Sequence, residues 1–410
     1  MPALDKKNGQ TPDSPCDLGV YVHVPFCGNA CDYCAFYKEQ PRREQIDAWL
    51  DGIEKELALL PFPRKAATCY IGGGTPGVLT AQDLEKLCRM LQKANGGNAF
   101  DEWSVELAPA TVKRDKVEVL RSLGVNRLSM GVQSFDEATL KILGRRHSPA
   151  QVRRAYDLMR QAGFDNINFD LIFSIPTEAP DRWQNDLREA IALAPEHLSA
   201  YCLILEEDAP LLQRLHNKDC LSEKNPDREA ALYLETWQTL ADADYRQYEV
   251  ANHARDGKRC RHNLNTWQMH DWLGYGPAAA SQCFGKRFCN PSNLKIWLEN
   301  LSRERLFHID EETLSREQLF TDALVFGLRL NGGISLAGTA KRFLGTTDIP
   351  ATLLDFIEDL REESYLDDVV PAGTLALSPR GMLVADAVAC ELLRRLDACC
   401  EKSKSSHNER

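Results

Sequence analysis

Residues 23–34 read His-Val-Pro-Phe-Cys-Gly-Asn-Ala-Cys-Asp-Tyr-Cys and begin at the end of the apolar run Leu18–Val24. The spacing C-x3-C-x2-C places the thiols of Cys27, Cys31 and Cys34 within eight residues, on a loop that leaves a predicted strand. Soft thiolates select iron–sulfur clusters or zinc over hard cations. Three thiolates leave a 4Fe-4S cluster one ligand short, and the open iron can bind another molecule. The spacing favours such a cluster. The alternative is zinc, which usually takes four ligands. In that case His23 could serve as the fourth ligand.

A glycine run follows the next apolar segment. Residues 67–77 read Ala-Thr-Cys-Tyr-Ile-Gly-Gly-Gly-Thr-Pro-Gly. Glycine lets backbone N–H and C=O groups approach a ligand closely, although a glycine-rich turn alone is more often a simple strand-to-helix turn. Together, the cysteine triad and Gly-Gly-Gly-Thr-Pro resemble the radical S-adenosylmethionine superfamily. In that superfamily the triad holds a 4Fe-4S cluster, and its fourth iron binds the amino and carboxylate groups of S-adenosylmethionine.

The composition is that of an ordinary globular protein, with 43% apolar and 27% charged residues among 410. A net charge of −11 argues against broad binding to nucleic acid or to anionic membranes, but does not exclude a local basic groove. The polar first residues predict no signal peptide, and the absence of an apolar run of about 18 residues predicts no transmembrane helix. We therefore expect a cytoplasmic protein whose fourteen cysteines stay reduced.

Six apolar, β-rich runs alternate with amphipathic helical patterns. The runs are Leu18–Val24, Ala66–Ile71, Ser104–Leu107, Arg127–Val132, Ile167–Phe173 and Leu198–Leu205. Strands that alternate with helices form parallel βαβ units, and six units are fewer than the eight that close a TIM barrel. The pattern predicts an α/β fold, an open (β/α)6 partial TIM barrel. Its ligands should lie at the C-terminal ends of the strands, where Cys27–Cys34, Gly72–Thr75, Glu106, Gln133 and Asp170 fall.

The alternation of strands and helices breaks down beyond about residue 220. We expect a flexible N-terminal tail over residues 1–15 and the barrel core with an irregular extension, rich in aromatic residues, over 16–300. A small α-rich C-terminal domain over 301–400, with a short strand pair near Tyr365–Ser378, and a polar tail over 401–410 complete the predicted organisation.

A longer series of motifs narrows the resemblance. The series comprises Tyr21–Cys27, Gly72–Pro76, Gly124–Phe135, Leu143–His147 and Phe169–Ile172, in this order. It looks like the oxygen-independent coproporphyrinogen oxidase family and its relatives, over residues 18–396.

Two features resemble the HemW branch of haem chaperones within that family. Phe36 stands where the oxidases carry a fourth cysteine. The run His262-Asn-Leu-Asn-Thr-Trp267 is similar to the H-N-x-x-Y-W motif that is linked to haem in HemW proteins. Two departures are Thr266 in place of tyrosine and the lack of the usual histidine shortly after Gly276.

The resemblance implies roles for individual residues. Cys27, Cys31 and Cys34 would hold the cluster, and His262 would serve haem. Arg145 offers a fork of donors for the methionyl carboxylate, and Tyr33 would cover the adenine or shield the cluster. Glu106, Gln133 and Asp170 offer acceptors for the ribose hydroxyls or the amino group. The remaining contacts to S-adenosylmethionine implied by the family pattern are Tyr21, Gly73, Gly74 and Thr75.

Each of these residues also has a structural interpretation. Asp170 could pair with Arg127, Arg145 could be a solvated helix charge, and Gln133-Ser134 could cap the helix that follows. His262 could be an ordinary surface-loop histidine. The neighbouring aromatic side chains could pack beneath the loop instead of stacking on a porphyrin: Trp267, Trp272 and Tyr275.

The sequence leaves two classes of function open. The first is a haem chaperone that passes haem to an unidentified recipient protein and carries the cluster and S-adenosylmethionine. The second is a radical S-adenosylmethionine enzyme acting on a porphyrinogen, with catalytic residues not yet identifiable. A radical enzyme acting on RNA is disfavoured by the acidic charge balance. We favour the chaperone, because Phe36 replaces the fourth cysteine.

Overall fold

The computed structural model describes residues 18–407, except residue 30, residues 177, 178 and 180, residue 208 and residues 217–224. Side chains are described as far as residue 396. The tail expected over residues 1–15 therefore lies outside the described residues. The backbone of the last helix continues into the expected polar tail as far as His407.

Six parallel strands form the centre of the fold, as predicted. They are β1 (Gly19–Val24), β2 (Thr68–Gly73), β3 (Glu102–Leu107), β4 (Arg127–Gln133), β5 (Ile167–Phe173) and β6 (His197–Cys202). Each pairs in parallel with the next in chain order. Their side chains are buried almost throughout, as expected of parallel strands that are covered on both faces.

Helices connect these strands and cover one face of the sheet. They are α1 (Arg43–Leu59), α2 (Ala81–Ala94), α3 (Arg114–Ser122), α4 (Glu137–Ile142), α5 (Pro149–Gln161) and α6 (Arg182–Leu193), with 3₁₀ turns at Pro76–Val78 and Pro109–Thr111. The capping box predicted at Thr80 and Asp83 begins α2, with both reciprocal hydrogen bonds formed. The apolar faces pack into one core that includes Trp49, Trp103 and Phe169.

The stretch 246–300, expected to be irregular, is largely regular, and this expectation was wrong. After α7 (Pro210–His216) and α8 (Pro226–Asp242) come β7 (Arg246–Gln247), β8 (Asn252–Ala254), α9 (Arg261–Trp267), β9 (Trp272–Tyr275), β10 (Ala280–Cys283), β11 (Lys286–Cys289) and α10 (Leu294–Ser302). These strands have two to four residues each. Such short strands carry no readable periodicity, because their neighbours in the sheet fix them.

The added strands extend the central sheet at both ends. Within the described residues the strand order is β12-β11-β10-β9-β1-β2-β3-β4-β5-β6-β8-β7, where β12 is Ile309–Thr313. Strand β9 pairs in parallel with β1, and β8 pairs antiparallel with β6. Because β12 and β7 lie at opposite ends of this order, the sheet stays open, as predicted for a partial barrel.

The C-terminal part of the chain is mainly helical. It comprises α11 (Arg316–Gly327), β13 (Ile334–Ser335), α12 (Leu336–Leu344), α13 (Ala351–Glu362), β14 (Thr374–Leu375), α14 (Pro379–Met382) and α15 (Ala385–His407). A second apolar cluster runs from Phe320 to Leu396. Since β12 belongs to the central sheet, we place the proposed domain boundary between Thr313 and Phe320 rather than at residue 300.

Two smaller expectations about this part can be assessed. The strand pair expected near Tyr365–Ser378 is reduced to a bridge between Leu366 and Leu377, whereas β14 pairs with β13. None of the helices in the described part of the chain is long and apolar enough to cross a membrane.

Candidate functional site

A cavity of about 510 Å³ lies at the C-terminal ends of the parallel strands. It gathers most of the side chains that the sequence singled out, although they come from distant parts of the chain. Eleven of the thirteen predicted residues line it: Cys27, Cys31, Tyr33, Cys34, Gly73, Gly74, Thr75, Glu106, Gln133, Arg145 and Asp170. Tyr21 and His262 do not line it.

The cysteine loop between β1 and α1 is fixed at its base and at Asp32. The Cys27 N–H donates to the Glu39 carbonyl at 3.0 Å, and the Glu39 N–H donates to the Pro25 carbonyl at 2.6 Å, which closes the loop. The loop also rests on the α4–α5 connection, because the Asp32 N–H donates to the Leu143 carbonyl at 3.1 Å. A loop held in this way presents its three thiols to the cavity.

The three thiols are half-buried and free. The Cys27 sulfur lies 3.5 Å from the Thr75 hydroxyl, and the Cys31 sulfur accepts a hydrogen bond from Arg145 Nη1 at 3.1 Å. Burial raises the pKa of the Cys27 thiol, but a coordinating metal deprotonates a thiol outright. Three thiols on one loop fit the ligand set of an iron–sulfur cluster with one open position.

The zinc alternative lacks its fourth ligand here. The His23 ring bonds to the Tyr21 hydroxyl through Nδ1 at 3.1 Å and to the Tyr37 carbonyl through Nε2 at 3.3 Å. Both ring nitrogens are thus engaged, and His23 does not line the cavity. In the part of the chain that the structure describes, no three His, Cys, Asp or Glu side chains are grouped to hold a single metal ion.

The glycine run forms one wall of the cavity. The Gly74 N–H donates to the Val24 carbonyl and the Thr75 N–H to the Phe26 carbonyl, each at 2.8 Å, which pins the run to the end of β1. A Cβ at Gly74 would lie 2.7 Å from the Val24 carbonyl oxygen. Gly73 has φ +100°, and a Cβ there would lie 2.5 Å from the His23 ring. Side chains are therefore excluded, and the backbone itself faces the cavity.

Two half-buried carboxyl groups, Glu106 on β3 and Asp170 on β5, line the cavity. Glu106 accepts hydrogen bonds from the Tyr70 hydroxyl at 2.9 Å and the Gly73 N–H at 3.2 Å. Burial, with the nearby Asp170, raises the pKa of Glu106 to about 7. Asp170 accepts from Ser129 Oγ at 3.1 Å and Asn168 Nδ2 at 2.8 Å, and burial raises its pKa as well. These amide and hydroxyl donors, rather than Arg127, are its hydrogen-bond partners in the described residues.

Arg145 is a half-buried cavity residue rather than a solvated helix charge. It lies between α4 and α5, and besides Cys31 it donates through Nη2 to the Gly131 carbonyl at 2.5 Å. Its Nε is buried with no hydrogen-bond partner among the described residues. A buried donor without a partner calls for an explanation, such as a ligand that the structure does not contain. A guanidinium fits a carboxylate in this position.

Gln133 lies where β4 leaves its regular register with β5. Its φ of +66° is rare for a residue other than glycine, and strained backbone of this kind clusters at functional sites. The predicted cap on the next helix is not formed by Ser134. The N-cap of helix α4 is instead Asp136, whose side chain accepts a hydrogen bond from the Thr139 N–H.

The structure places Tyr21 and His262 behind the cavity wall. Tyr21 stacks on Tyr70 with ring centroids 6.4 Å apart. His262 lies on helix α9 with 8% of its surface exposed, and its Nδ1 is 2.9 Å from Thr68 Oγ1. Burial, with Arg127 nearby, lowers the pKa of His262 to about 4. It is a buried helix residue and not a surface-loop histidine.

The aromatic residues near His262 pack within the protein. Trp267 meets Phe326 edge-on at 5.9 Å and lies beneath the guanidinium of Arg329. Tyr275 is fully buried, and its hydroxyl donates to the Leu60 carbonyl at 2.7 Å. For these two residues the observed contacts are those of packing.

Several cavity residues escaped the sequence reasoning. Tyr70 lies on the same side of β2 as Gly72 by strand alternation, and this alternation was the available signal. The segment after β6 lines the opposite side, and nothing in its sequence marks it as functional. The residues concerned are Tyr70, Leu107, Ala108, Gly131, Ile172, Tyr201, Cys202, Leu203, Ile204 and Glu206, together with Ala35. Phe36, which the sequence analysis singled out, lines the cavity as well.

Known proteins are similar to this chain in sequence and in fold. The model of the radical SAM superfamily matches residues 21–190. The heme chaperone HemW of Lactococcus lactis is 32% identical over 324 residues, 79% of this chain and 84% of that protein. The heme chaperone HemW of Mycobacterium tuberculosis is 32% identical over 401 residues, 96% of this chain and 97% of that protein.

One solved structure resembles nearly the whole chain. It is the coproporphyrinogen III oxidase HemN from Escherichia coli, described as a radical SAM enzyme, with a TM-score of 0.78. The alignment covers 94% of this chain and 91% of that one at 23% identity, which supports the α/β fold.

The cysteine loop and the glycine wall both lie in the part of the chain that matches the radical SAM superfamily, residues 21–190, so the chain contains a radical SAM domain. Within that class, the identity and the coverage of the relatives narrow the assignment. The chain belongs to the family of HemW heme chaperones.

Proposed function

We propose that this protein is a haem chaperone, which binds haem and passes it to a recipient protein while carrying a 4Fe-4S cluster and S-adenosylmethionine. One observation carries the proposal: three thiols, a half-buried guanidinium and two half-buried carboxyls face one cavity in a chain of the HemW family. Since thiols stay reduced in the cytoplasm, we expect the protein to act there.

In this proposal Cys27, Cys31 and Cys34 hold the cluster. When bound, the cluster supplies an electron and an iron with an open position. The protein keeps the thiols half-buried on a loop that is fixed to its surroundings, and Arg145 donates to one of the sulfurs.

S-adenosylmethionine carries groups that the rest of the cavity matches. Its carboxylate fits the Arg145 guanidinium, and its ribose hydroxyls and amino group fit the acceptors on Glu106, Gln133 and Asp170. The backbone of Gly73, Gly74 and Thr75 approaches it from one side, and Tyr33 covers it. Tyr21, which does not line the cavity, would act through Tyr70 and His23.

Two residues are candidates for contact with haem, His262 and Phe36. A haem role for His262 stays a prediction, and in the described conformation an iron would reach this side chain only if α9 moved, because 8% of its surface is exposed. At the mouth of the cavity, Phe36 is 71% exposed in the position where a fourth cysteine marks the oxidases. An exposed aromatic ring offers apolar contact where the oxidases offer a thiol.

A paired assay separates the chaperone from a porphyrinogen oxidase. The anaerobically reconstituted protein is titrated with haem, and a second sample is given coproporphyrinogen, S-adenosylmethionine and a reductant. The chaperone binds haem and leaves coproporphyrinogen unchanged. Decarboxylation of coproporphyrinogen without haem binding would reject the proposal in favour of the enzyme.

A further inference from the structure

His262 contacts the cavity wall from behind. Its ring stacks on Tyr70, with centroids 5.3 Å apart and planes 29° apart, and its Nδ1 bonds to Thr68 in the same strand. Tyr70 lines the cavity on its other side, and its hydroxyl donates to Glu106 at 2.9 Å. Three side chains therefore follow one another from the helix to the cavity: an imidazole, a phenol and a carboxyl.

The position of the imidazole is fixed by its own helix. The backbone N–H groups of Arg261 and His262 each donate to the buried Glu102 carboxyl at 2.9 Å, at the start of α9. Trp267, at the other end of the helix, packs against Phe326 and Arg329. Because both ends of α9 are held, the ring of His262 has a defined place under Tyr70.

We propose that His262 is a positioning residue of the S-adenosylmethionine site, where its ring holds the Tyr70 hydroxyl on Glu106. The inference rests on the proposed role of Glu106 in binding S-adenosylmethionine. In this role, the histidine of the His-Asn-x-x-x-Trp run contributes to the S-adenosylmethionine site without contacting haem.

The contact matters because Glu106 has few partners. Without the phenol, the Glu106 carboxyl keeps only one hydrogen-bond donor among the described residues, the Gly73 N–H, in a setting where burial already favours the neutral form. A carboxyl that stays protonated is a poorer acceptor for ribose hydroxyls or an ammonium group. Loss of the stacking ring would therefore weaken binding of S-adenosylmethionine without removing any group that touches it.

The test measures the affinity of the reconstituted, full-length protein for S-adenosylmethionine by calorimetry. His262→Ala should weaken binding about tenfold, the scale of one hydrogen bond to a charged group, with unchanged iron content. His262→Phe keeps a ring over Tyr70 and should retain most of the affinity. His262→Asn keeps a polar group near Thr68 but no ring, and should behave like alanine. Gln268→Ala, an exposed position at the end of the same helix, is the control.

A double-mutant cycle with Tyr70→Phe identifies the route of the effect. If His262 acts through the Tyr70 hydroxyl, His262→Ala should change affinity little once that hydroxyl is absent. Additive losses, or equal affinities of the Phe and Asn variants, would overturn the inference. The comparison of His262→Phe with His262→Asn tests the inference even if His262→Ala does not fold.

The variant Glu106→Gln distinguishes a failure of the inference about His262 from a failure of the proposed function. If it weakens binding of S-adenosylmethionine but His262→Ala does not, the inference fails and the proposed function stands. If Glu106→Gln has no effect, the assignment of Glu106 fails, and the inference that rests on it fails too.

Discussion

The Arg145 guanidinium donates to the Cys31 sulfur, with 3.1 Å between Nη1 and Sγ. This hydrogen bond joins the loop after β1 to the loop between α4 and α5. Hydrogen bonds to sulfur are among the factors that set the reduction potential of an iron–sulfur cluster. Arg145 also lines the cavity, and its Nε is buried with no hydrogen-bond partner among the described residues. Arg145 is therefore placed to act on both the cluster and an anionic group of its ligand.

Arg145→Ala should weaken binding of S-adenosylmethionine by roughly 1.5–3 kcal/mol, the scale of hydrogen bonds between charged groups. Calorimetry measures this loss, and iron content should remain close to that of the wild type. The potential of the cluster should become more negative, because a cation near the sulfur is lost. Arg146→Ala removes the same charge from the neighbouring exposed position and should change neither quantity. Equal behaviour of the two variants contradicts the role assigned to Arg145.

The cluster should depend on three cysteines and no others. Cys27→Ser, Cys31→Ser and Cys34→Ser should each lose most of the iron and the brown colour after anaerobic reconstitution, because three thiolates already leave one iron open. Cys202→Ser is the matched control, since this thiol also lines the cavity. It should retain about four irons per chain, the content of a 4Fe-4S cluster. Loss of iron from the Cys202 variant would reveal an additional ligand.

Gly73→Ala should destabilise the protein more than Gly124→Ala. Both glycines have a φ near +100°, at +100° and +96°, but only a Cβ at Gly73 meets other atoms, 2.5 Å away in the His23 ring. The backbone cost alone is roughly 1–2 kcal/mol, and Gly124→Ala should show little more than that. Urea unfolding measures the difference. Similar losses for the two variants would argue against a closely packed glycine wall.

Glu106 should contribute a loss of stability to the cluster-free protein as pH rises from about 4.5 to about 7, and this contribution is the difference between the wild type and Glu106→Gln. Burial, with Asp170 nearby, raises the pKa of Glu106 over this interval, from 4.5 to about 7. At this carboxyl the folded state binds more protons than the unfolded state, so its contribution to the free energy of unfolding decreases with pH and levels off above the interval. Glu106→Gln should reduce this decrease by up to about 3 kcal/mol.

Urea unfolding at pH 5 and pH 8 checks the pH dependence. Glu56 is the matched control, because burial raises its pKa to about 7 as well, but it does not line the cavity. Glu56→Gln should also flatten the dependence of stability on pH, and it should leave binding of S-adenosylmethionine unchanged. The assignment fails if Glu106→Gln has the same pH dependence as the wild type.

Much of the site could be predicted because parallel strands bring their C-terminal ends together. The run Ile167–Phe173 became β5 with the same bounds, which places Asp170 beside the residues of β4. Cys31 and Arg145 are far apart in sequence, and the motif series alone assigned them to one site. The fold then brings them into hydrogen-bond contact.

The rest depended on packing that a single sequence does not reveal. His262 has the neighbours of a haem motif, but nothing in its pattern shows that Thr68 and Tyr70 enclose it. Tyr70 looks like an ordinary strand residue until its hydroxyl meets Glu106. A strand as short as β9 takes its register from its partner β1, which lies over 240 residues earlier in the chain. Gly19, for example, pairs with Trp272.

The open iron is the central claim, and electron paramagnetic resonance tests it most directly. The spectrum of the reduced, reconstituted protein is recorded with and without S-adenosylmethionine. Because Cys27, Cys31 and Cys34 leave one iron without a protein ligand, the cluster signal should change when S-adenosylmethionine is added, and it should change less in Arg145→Ala. A full cluster whose signal is identical with and without saturating S-adenosylmethionine would contradict the account.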